Sequence, residues 1–389
     1  MGMSTVKATN FQNASSATAN MVTDASGNVS FGGTSVMSSS FLRNRIINGD
    51  MRIDQRNAGA SVTNTAATLY TIDRWAANAT QASKFTIQRN AGAVTPPSGF
   101  VNYLGVTSSS AYSVLSGDTF DVRQVIEGLN VSDLAWGTAS AATVTLSFWV
   151  HSSLTGTFGG ALANGAFNRS YPFTYTISVA NTWEQKTVTI AGDTSGTWLT
   201  TNGIGIHVFW GLGAGSTFSG TAGAWTGSGL TTATGAVSVV GTSGATFYVT
   251  GVQLEVGTVA TPFERQIFSN QLAQCQRYFE KSFDISVAPA QGATTTGMAT
   301  WIAGKVTTGT QYSSFIAYKS QKRDTPSTFT FYNPTNSNAQ ARDVTAGGDC
   351  SSTTLYVSGT SGFTIQASGN AATAVGNLIS VQWASSSEL

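Results

Sequence analysis

Strict alternation of apolar and polar positions recurs through the middle of this 389-residue chain and limits the folds it can adopt. Every second residue is apolar in residues 144–150, 175–179 and 204–210, and clusters of Gly, Ser and Asn separate these runs. A period of two is typical of a β-strand with one face in a core, and the clusters are typical of turns. No strand–helix–strand spacing is present. The pattern therefore predicts a large antiparallel β-sandwich of the jelly-roll kind over residues 41–265.

The remaining chain divides into three further parts, and the fold class is mainly β. Residues 1–40 are a low-complexity stretch of Asn, Ala, Ser, Thr and Gly, which predicts an N-terminal attachment or shaft segment. A connecting helix is expected over residues 266–283 and a smaller C-terminal β domain over residues 284–389. Strand candidates in the latter are residues 314–318, 328–332, 354–358, 363–367 and 378–383, the last of which predicts that the C-terminal end is tied down.

One piece of the N-terminal segment has the pattern of a single β-hairpin. Val22 to Phe31 contains turn-forming residues from Asp24 to Asn28, flanked by alternating apolar positions. A lone hairpin is only marginally stable in water, so it requires a partner chain or another protein. A tail without fixed structure remains the alternative.

The predicted helix carries an apolar stripe, spaced four, three and four residues apart, formed by Phe268, Leu272, Cys275 and Phe279. One interpretation is an amphipathic helix packed on a sheet. The other is a seam between identical chains, because this spacing is that of a coiled-coil face, and these four residues are then trimer-interface candidates.

Composition argues against several classes of partner. The net charge is +1 and charged residues make up 10% of the chain, whereas nucleic-acid binding depends on clustered Lys and Arg. Residues 194–254 contain no charged residue, but Gly, Ser and Thr interrupt them, so no membrane insertion is expected. The first ten residues lack an apolar run, which predicts synthesis in a cytoplasm without a signal peptide.

No catalytic motif is present, and the prediction is that the chain is not an enzyme and has no cofactor or metal. His151 and His207 lack a nucleophile motif nearby, which favours structural or solvent-facing roles. Cys275 and Cys350 are predicted to be free buried thiols. A turn at residues 118–121 offers a weak candidate for a structural Ca²⁺ ion.

A glycosidase would need two opposed carboxylates, and the sequence does not exclude such a pair. The alternative is that these carboxylates cap turns and pair with nearby Arg. The acidic residues available in the predicted sandwich are Asp50, Asp54, Asp73, Asp118, Asp121, Glu127, Asp133, Glu184, Asp193, Glu255 and Glu264.

Tryptophan provides the candidate ligand-binding residue. Most of the nine Trp lie in alternating strands, where core packing explains them, but Trp225 lies in the uncharged, irregular stretch of residues 211–235. An exposed Trp225 could stack on a sugar ring. The alternatives are that it packs back over the core or against a neighbouring subunit.

Several motifs occur in a fixed order along the chain, at residues 45–56, 70–75, 124–128, 143–150, 247–257, 261–264 and 275–279. Their order and spacing resemble those of the tail-fibre or appendage proteins of tailed phages, especially aquatic ones. The central domain of that family is similar to carbohydrate-binding jelly rolls. The resemblance implies a homotrimer on a virion and, less directly, attachment to host-surface glycan; it brings no catalytic residue.

The expected function is therefore a virion structural protein, a trimeric tail fibre that joins other virion proteins through its N-terminal segment and contributes to host attachment. Two alternatives remain open at this point. One is a purely architectural subunit such as a head fibre, decoration or connector protein, and the other is a polysaccharide-degrading enzyme.

Overall fold

The computed structural model of the chain describes residues 43–389 throughout and, before them, residues 10–11, 21–23, 29–31 and 34–35. The four short N-terminal pieces form one antiparallel sheet in the order β1-β2-β3-β4. These strands are β1 Asn10–Phe11, β2 Met21–Thr23, β3 Val29–Phe31 and β4 Thr34–Ser35.

The predicted hairpin strands are confirmed, because Met21 pairs with Phe31 and Thr23 with Val29. The expectation of a single hairpin is wrong, since β1 and β4 extend it to four strands. Each added strand pairs backbone groups that a lone hairpin would leave open. The predicted turn at residues 24–28 and most of the proposed attachment segment lie outside the described residues.

Fourteen strands follow between residues 62 and 256. They are β5 Val62–Thr63, β6 Leu69–Ile72, β7 Trp75–Ala79, β8 Phe85–Arg89, β9 Leu104–Ser108, β10 Thr119–Glu127, β11 Val144–Ser152, β12 Gly156–Ala163, β13 Ser170–Ile177, β14 Glu184–Ile190, β15 Ile204–Ala214, β16 Ser219–Gly220, β17 Thr232–Ala233 and β18 Thr246–Val256. Short 3₁₀ helices cover Ala91–Ala93, Gly128–Asn130 and Ser132–Leu134.

Two six-stranded antiparallel sheets make up the β-sandwich. One has the order β13-β12-β15-β10-β7-β6 and the other β14-β11-β18-β9-β8-β5, while β16 and β17 form a separate parallel pair. The jelly-roll prediction is confirmed. The alternating residues of β11 point into the core between the sheets. There the ring centroids of Phe148 and Trp210 are 5.6 Å apart, and those of Trp210 and Trp75 are 5.5 Å apart.

The alternation predicted through residue 179 stops early. Strand β13 ends at Ile177, and Val179 is exposed. The reason is local, because the Glu184 carboxylate accepts hydrogen bonds from the backbone N–H groups of Ser178 and Val179 and closes a turn there.

The helix α1 spans Phe268–Gln276, nine residues, which corrects the prediction of a helix over residues 266–283. Residues Phe279–Lys281 instead form strand β19, paired with residues 384–386 at the other end of the chain. Ladder hydrogen bonds to a distant strand therefore replace the helical bonds that the 4-3-4 spacing favours. No helix in the described part of the chain is long and apolar enough to cross a membrane.

The C-terminal part consists of two sheets built around one long strand each. Strand β28 pairs with β19, β20, β23 and β24, and strand β27 pairs with β21, β22 and β26. The strands after β19 are β20 Ala299–Ile302, β21 Thr310–Tyr312, β22 Ile316–Ala317, β23 Thr328–Tyr332, β24 Arg342–Asp343, β25 Gly348–Asp349, β26 Ser352–Ser358, β27 Gly362–Ser368 and β28 Leu378–Ser386. Each predicted strand is present, although the one at residues 314–318 is only two residues long.

The C-terminal end is tied to the sandwich, as predicted. The Glu388 carboxylate accepts hydrogen bonds from Arg56, at 2.8 Å, and from Arg74. The Tyr70 hydroxyl donates to the Leu389 carbonyl at 2.8 Å, and Arg277 pairs with Glu127 of β10. Cys275 and Cys350 are both buried and free, which confirms the thiol prediction.

Candidate functional site

Trp225 lies in the loop between β16 and β17 and is half-buried. The loop is attached to the edge strand β13, because Ser170 and Thr226 exchange both backbone hydrogen bonds, at 3.1 and 2.9 Å. The Trp225 indole N–H donates to the Ala191 carbonyl at 2.7 Å. The ring therefore has a defined position on a loop that otherwise lacks a strand pattern.

Four aromatic residues from separate segments meet here, and we call them the tryptophan cluster: Trp136, Tyr171, Trp198 and Trp225. The Trp225 ring centroid lies 5.3 Å from each of the other three, and the Trp136 and Trp198 centroids are 4.7 Å apart. All of these contacts are edge-to-face, the geometry that aromatic quadrupoles favour. The alternative in which Trp225 packs back onto the fold is thus realised, but as part of a surface cluster.

Every tryptophan of the cluster has its indole N–H satisfied by a backbone carbonyl. Trp136 donates to Ala142 at 2.8 Å and Trp198 donates to Ser195 at 3.2 Å. Trp136 is only 7% exposed, whereas Trp198 and Trp225 are half-buried. The indole N–H groups are therefore already used within the chain and are not free to donate to a ligand at this surface.

Charged and amide side chains fix the loops that carry the cluster. Arg169 donates to both carboxylate oxygens of Asp193, at 2.7 and 2.6 Å, and these hydrogen bonds raise the pKa of Arg169. Asp193 also accepts from the backbone of Ser195, while Asn164 donates to the carbonyl of Thr197. The Arg169–Asp193 pair neutralises its own charge, and the residues beside Trp198 are held in place.

A small pocket lies beside Trp136 and Trp198. This pocket, of about 20 Å³, is lined by Trp136, Trp198, Leu199 and Ile206 among others. That volume holds a single water molecule. A sugar ring is too large for this pocket.

Sequence alone did not associate Trp136 and Trp198 with Trp225. The sequence did contain a feature that the three tryptophans share. Like Trp225, both Trp136 and Trp198 lie outside the alternating strands and close to a glycine, Gly137 and Gly196 respectively. Tyr171 carried no such signal, since it lies within strand β13.

His207 belongs to a covered polar and aromatic group on the sheet face opposite the core. Its ring lies 4.5 Å from Phe167 and 5.4 Å from Phe209, beside the ion pair between Arg123 and Asp121. Burial, followed by the charge of Arg123, lowers the pKa of His207 to about 3. His207 is therefore neutral at neutral pH and is structural.

His151 is packed in a second aromatic group on the other sheet. It stacks on Tyr248 at 5.2 Å and lies 5.3 Å from Trp183, and burial lowers its pKa. Of the two roles predicted for the histidines, structural or solvent-facing, the burial of both side chains favours the structural one.

The acidic residues named above as a possible catalytic pair are all engaged by partners within the chain. Asp118, for example, accepts from the Tyr112 hydroxyl, the Thr80 hydroxyl and the backbone of Leu115. Together with the Asp121–Arg123 pair, this uses the carboxylates of the weak Ca²⁺ candidate. No cluster of three or more His, Cys, Asp and Glu suited to a metal ion occurs among the described residues. The carboxylates that have ion-pair or hydrogen-bond partners are Asp50, Asp54, Asp73, Asp118, Asp121, Glu127, Asp133, Glu184, Asp193, Glu255 and Glu264.

The four trimer-interface candidates do not form one exposed stripe. Phe268 is 44% exposed and Leu272 is half-buried, but Cys275 and Phe279 are buried in the chain itself. The Arg56 guanidinium covers the Phe279 ring at 3.9 Å. Phe268 and Leu272 alone among the four present side-chain surface, and the seam stays a prediction.

No protein-family model matches this chain, and no curated protein matches it in sequence. Among solved structures, it is similar to the enzymatically active domain of bacteriophage CBA120 tailspike protein 4, with 12% identity and a TM-score of 0.32, over 55% of this chain and 21% of that one. It is also similar to the family 11 carbohydrate-binding module from Clostridium thermocellum, with 11% identity and a TM-score of 0.26, over 52% of this chain and 98% of that one. The N-terminal cellulose-binding domain of Cellulomonas fimi β-1,4-glucanase C has 15% identity and a TM-score of 0.20, over 46% and 91%. Scores this low do not transfer a function, so the function must be argued from this chain's own residues.

Proposed function

We propose that this protein binds a neutral glycan through the tryptophan cluster. The observation that carries the proposal is the pair of half-buried rings, Trp198 and Trp225, held edge-to-face with their N–H groups already satisfied. Fixed ring faces can pack against the C–H groups of a sugar ring without loss of side-chain freedom on binding.

The charges around the cluster favour an uncharged ligand. The stretch of residues 211–235, predicted to be irregular, also contains the end of β15 and the short strands β16 and β17, and the Trp225 loop lies between the last two. It contains no charged residue, and the nearby Arg169 and Asp193 neutralise each other. A neutral glycan therefore approaches this surface without stripping water from an unpaired ion. Hydroxyl and amide groups of the loops supply the remaining hydrogen bonds.

The test is Trp225→Ala, with Trp183→Ala as the matched control. Trp183 is also half-buried, donates its N–H to a backbone carbonyl and makes an edge-to-face contact, but it lies in the other aromatic group. Affinity for neutral oligosaccharides of glucose, galactose and xylose is measured by calorimetry. Loss of a stacking contact of about 1 kcal/mol predicts affinity about fivefold weaker for Trp225→Ala and unchanged for Trp183→Ala.

Equal losses in the two variants, or an unchanged affinity in Trp225→Ala, would remove the cluster from ligand binding. A dissociated oligomer in Trp225→Ala would instead favour a second candidate function, an architectural virion subunit. An uncharged aromatic surface also suits contact with a neighbouring subunit. Imaging of the particle separates these functions, because an architectural subunit has no free tip.

The biological setting that we propose is a trimeric phage appendage anchored through its N-terminal segment. The ordered motifs at residues 45–56, 70–75 and 247–257 support it. Sedimentation giving a monomer mass at micromolar concentration would contradict the trimer.

Deletion of residues 1–40 should leave the sandwich folded and abolish incorporation of the protein into particles. If particles carry the truncated chain in normal copy number, the anchoring role of this segment is wrong.

We also propose that the protein is not an enzyme. The partnered carboxylates described above support this, because a glycosidase keeps one acid and one base available on either side of the scissile bond. Incubation with host-surface glycan should release no reducing ends, and their release would favour the polysaccharide-degrading alternative.

A further inference from the structure

The C-terminal part contains a cleft of about 520 Å³, far larger than the pocket at the tryptophan cluster. It opens where strand β28 changes partner, from β19 at residues 384–386 to β20 at residues 378–381. Residues 313–317 and Lys319 also line it. Its volume is within the range of about 300 to 1,000 Å³ typical of small-ligand sites.

The walls combine aromatic rings with hydroxyl groups. Trp383, 5% exposed, and Phe315, 62% exposed, both line the cleft. Ser314 and Thr300 line it with hydroxyl groups, whereas the hydroxyl of the lining residue Ser313 already donates to the Ser314 carbonyl. An apolar ring surface beside hydroxyl donors suits a sugar ring, which has C–H faces and hydroxyl edges.

The ionisable groups of the cleft give it a positive charge. Its one carboxylate, Glu280, is paired with the buried Lys322 at 2.8 Å, so that pair is neutral. Lys281 and Lys319 also line the cleft, and neither forms an ion pair in the described part of the chain. The Lys281 ammonium donates only to the carbonyls of Ile285 and Val287, at 3.1 and 2.5 Å.

The acidic residues nearest to Lys281 do not cancel this charge within the cleft. Asp54, Asp73 and Asp284 interact electrostatically with Lys281 but do not line the cleft. Asp73 is engaged by Arg56 and Gln55 in the interior. Lys319, which is exposed, is thus the ammonium group placed to meet a ligand directly.

We propose that this cleft binds an acidic saccharide, with the carboxylate of a uronic acid against Lys319 and the sugar ring against Phe315. A carboxylate against an ammonium group forms a charge-assisted hydrogen bond. The buried Lys281, which also lines the cleft, adds a second positive charge. This site shares no residue with the tryptophan cluster and takes a ligand of different charge, so it goes beyond the function proposed above.

The experiment compares trigalacturonate with its methyl ester, which has the same rings and no charge, by calorimetry on the full chain. We expect the acid to bind about fivefold more tightly than the ester, a difference that Lys319→Met removes and Lys319→Arg retains. Phe315→Ala should weaken acid and ester alike. Lys305→Met, a change of an exposed lysine outside the cleft, is the matched control and should alter neither affinity.

Four outcomes overturn the proposal: no binding of trigalacturonate, equal affinity for acid and ester, a preference for the acid that survives Lys319→Met, or a loss of that preference in Lys305→Met. Trp225→Ala separates the two sites. If trigalacturonate binding persists in Trp225→Ala while neutral oligosaccharides fail to bind the wild-type protein, the cleft proposal stands and the cluster proposal falls.

Discussion

At the scale of single residues, charged side chains are held by dense local hydrogen bonding. The Asp349 carboxylate accepts from Asn336 at 2.7 Å, Asn338 at 2.6 Å and Arg342 at 2.8 Å. Burial raises the pKa of Asp349, but the hydrogen bonds from these amides and the guanidinium outweigh it and lower the pKa to about 2. The ionised form is therefore favoured in the folded protein.

This shift predicts a pH-dependent effect of Asp349→Asn. The folded pKa of about 2 lies below the unfolded value of about 3.9, so the stabilisation is present above about pH 4 and is lost as the pH falls toward 2. After allowance for solvent screening, the variant should lower the free energy of unfolding by about 1–2 kcal/mol at pH 7 and by much less at pH 2.5.

Denaturant titrations at the two pH values provide the measurement. Asp324→Asn is the control, because Asp324 is exposed and lies 4.0 Å from Arg323, so it should cost less than about 0.5 kcal/mol. A deficit in Asp349→Asn that is the same at both pH values would rule out the ionised carboxylate as its cause.

At the scale of elements, helix α1 begins without a capping side chain. Ile267, its N-cap, has extended backbone at φ −63° and ψ 137°, and its side chain accepts no hydrogen bond. The first turn also contains no acidic residue. The Asn270 N–H donates to the Ile267 carbonyl at 3.1 Å, but no N-cap side chain accepts from this turn as Asp, Ser or Thr usually does.

Ile267→Asp should therefore stabilise the protein by about 0.5–1 kcal/mol, since an N-cap carboxylate accepts from the first turn and interacts favourably with the helix dipole. The Ile267 side chain is 71% exposed, so little apolar burial is lost. Thermal unfolding checks the gain, and Ile267→Ala should show none. A decrease in stability would mean that Ile267 is covered in solution, as a seam between chains at the neighbouring Phe268 predicts.

At the scale of the whole molecule, the sandwich and the C-terminal sheets are joined by buried ionic and aromatic contacts. Glu388 accepts from Arg56 and Arg74, and the Arg74 guanidinium lies 3.5 Å from the centre of the Tyr278 ring. Tyr278 donates in turn to Glu127 of the sandwich at 2.6 Å. The joint is therefore a single network rather than a flexible linker.

Glu388→Ala should lower the free energy of unfolding by about 3 kcal/mol, because it leaves the buried Arg74 guanidinium without a carboxylate, whereas Arg56 keeps Asp73. The C-terminal sheets should then exchange their amide hydrogens faster than the sandwich, which hydrogen-exchange mass spectrometry resolves. Lys186→Met breaks a more exposed pair with Glu184 but leaves that carboxylate bonded to the backbone of Ser178 and Val179, so it should cost about 0.5 kcal/mol. Uniform exchange in Glu388→Ala would show that the two parts are not coupled through this carboxylate.

Local pattern was sufficient for the strands that alternate strictly, because the two-residue side-chain period is a property of the extended backbone and is independent of what a strand pairs with. Strands without that alternation, such as β12 and β14, were not predicted. It predicted β11 and β15, the C-terminal strand β28 and the burial of Phe148 and Trp210 in one core.

Contacts between distant segments depended on the order of strands in the sheets, which no local pattern encodes. The tryptophan cluster forms because the edge strand β13 anchors the Trp225 loop beside the loops that carry Trp136 and Trp198. The same dependence ended helix α1 at Gln276, where pairing of β19 with β28 buried Phe279 that its spacing had placed on a helical seam. It also opened the cleft of Lys319, since a cleft at a change of strand partner exists only once the sheet is assembled.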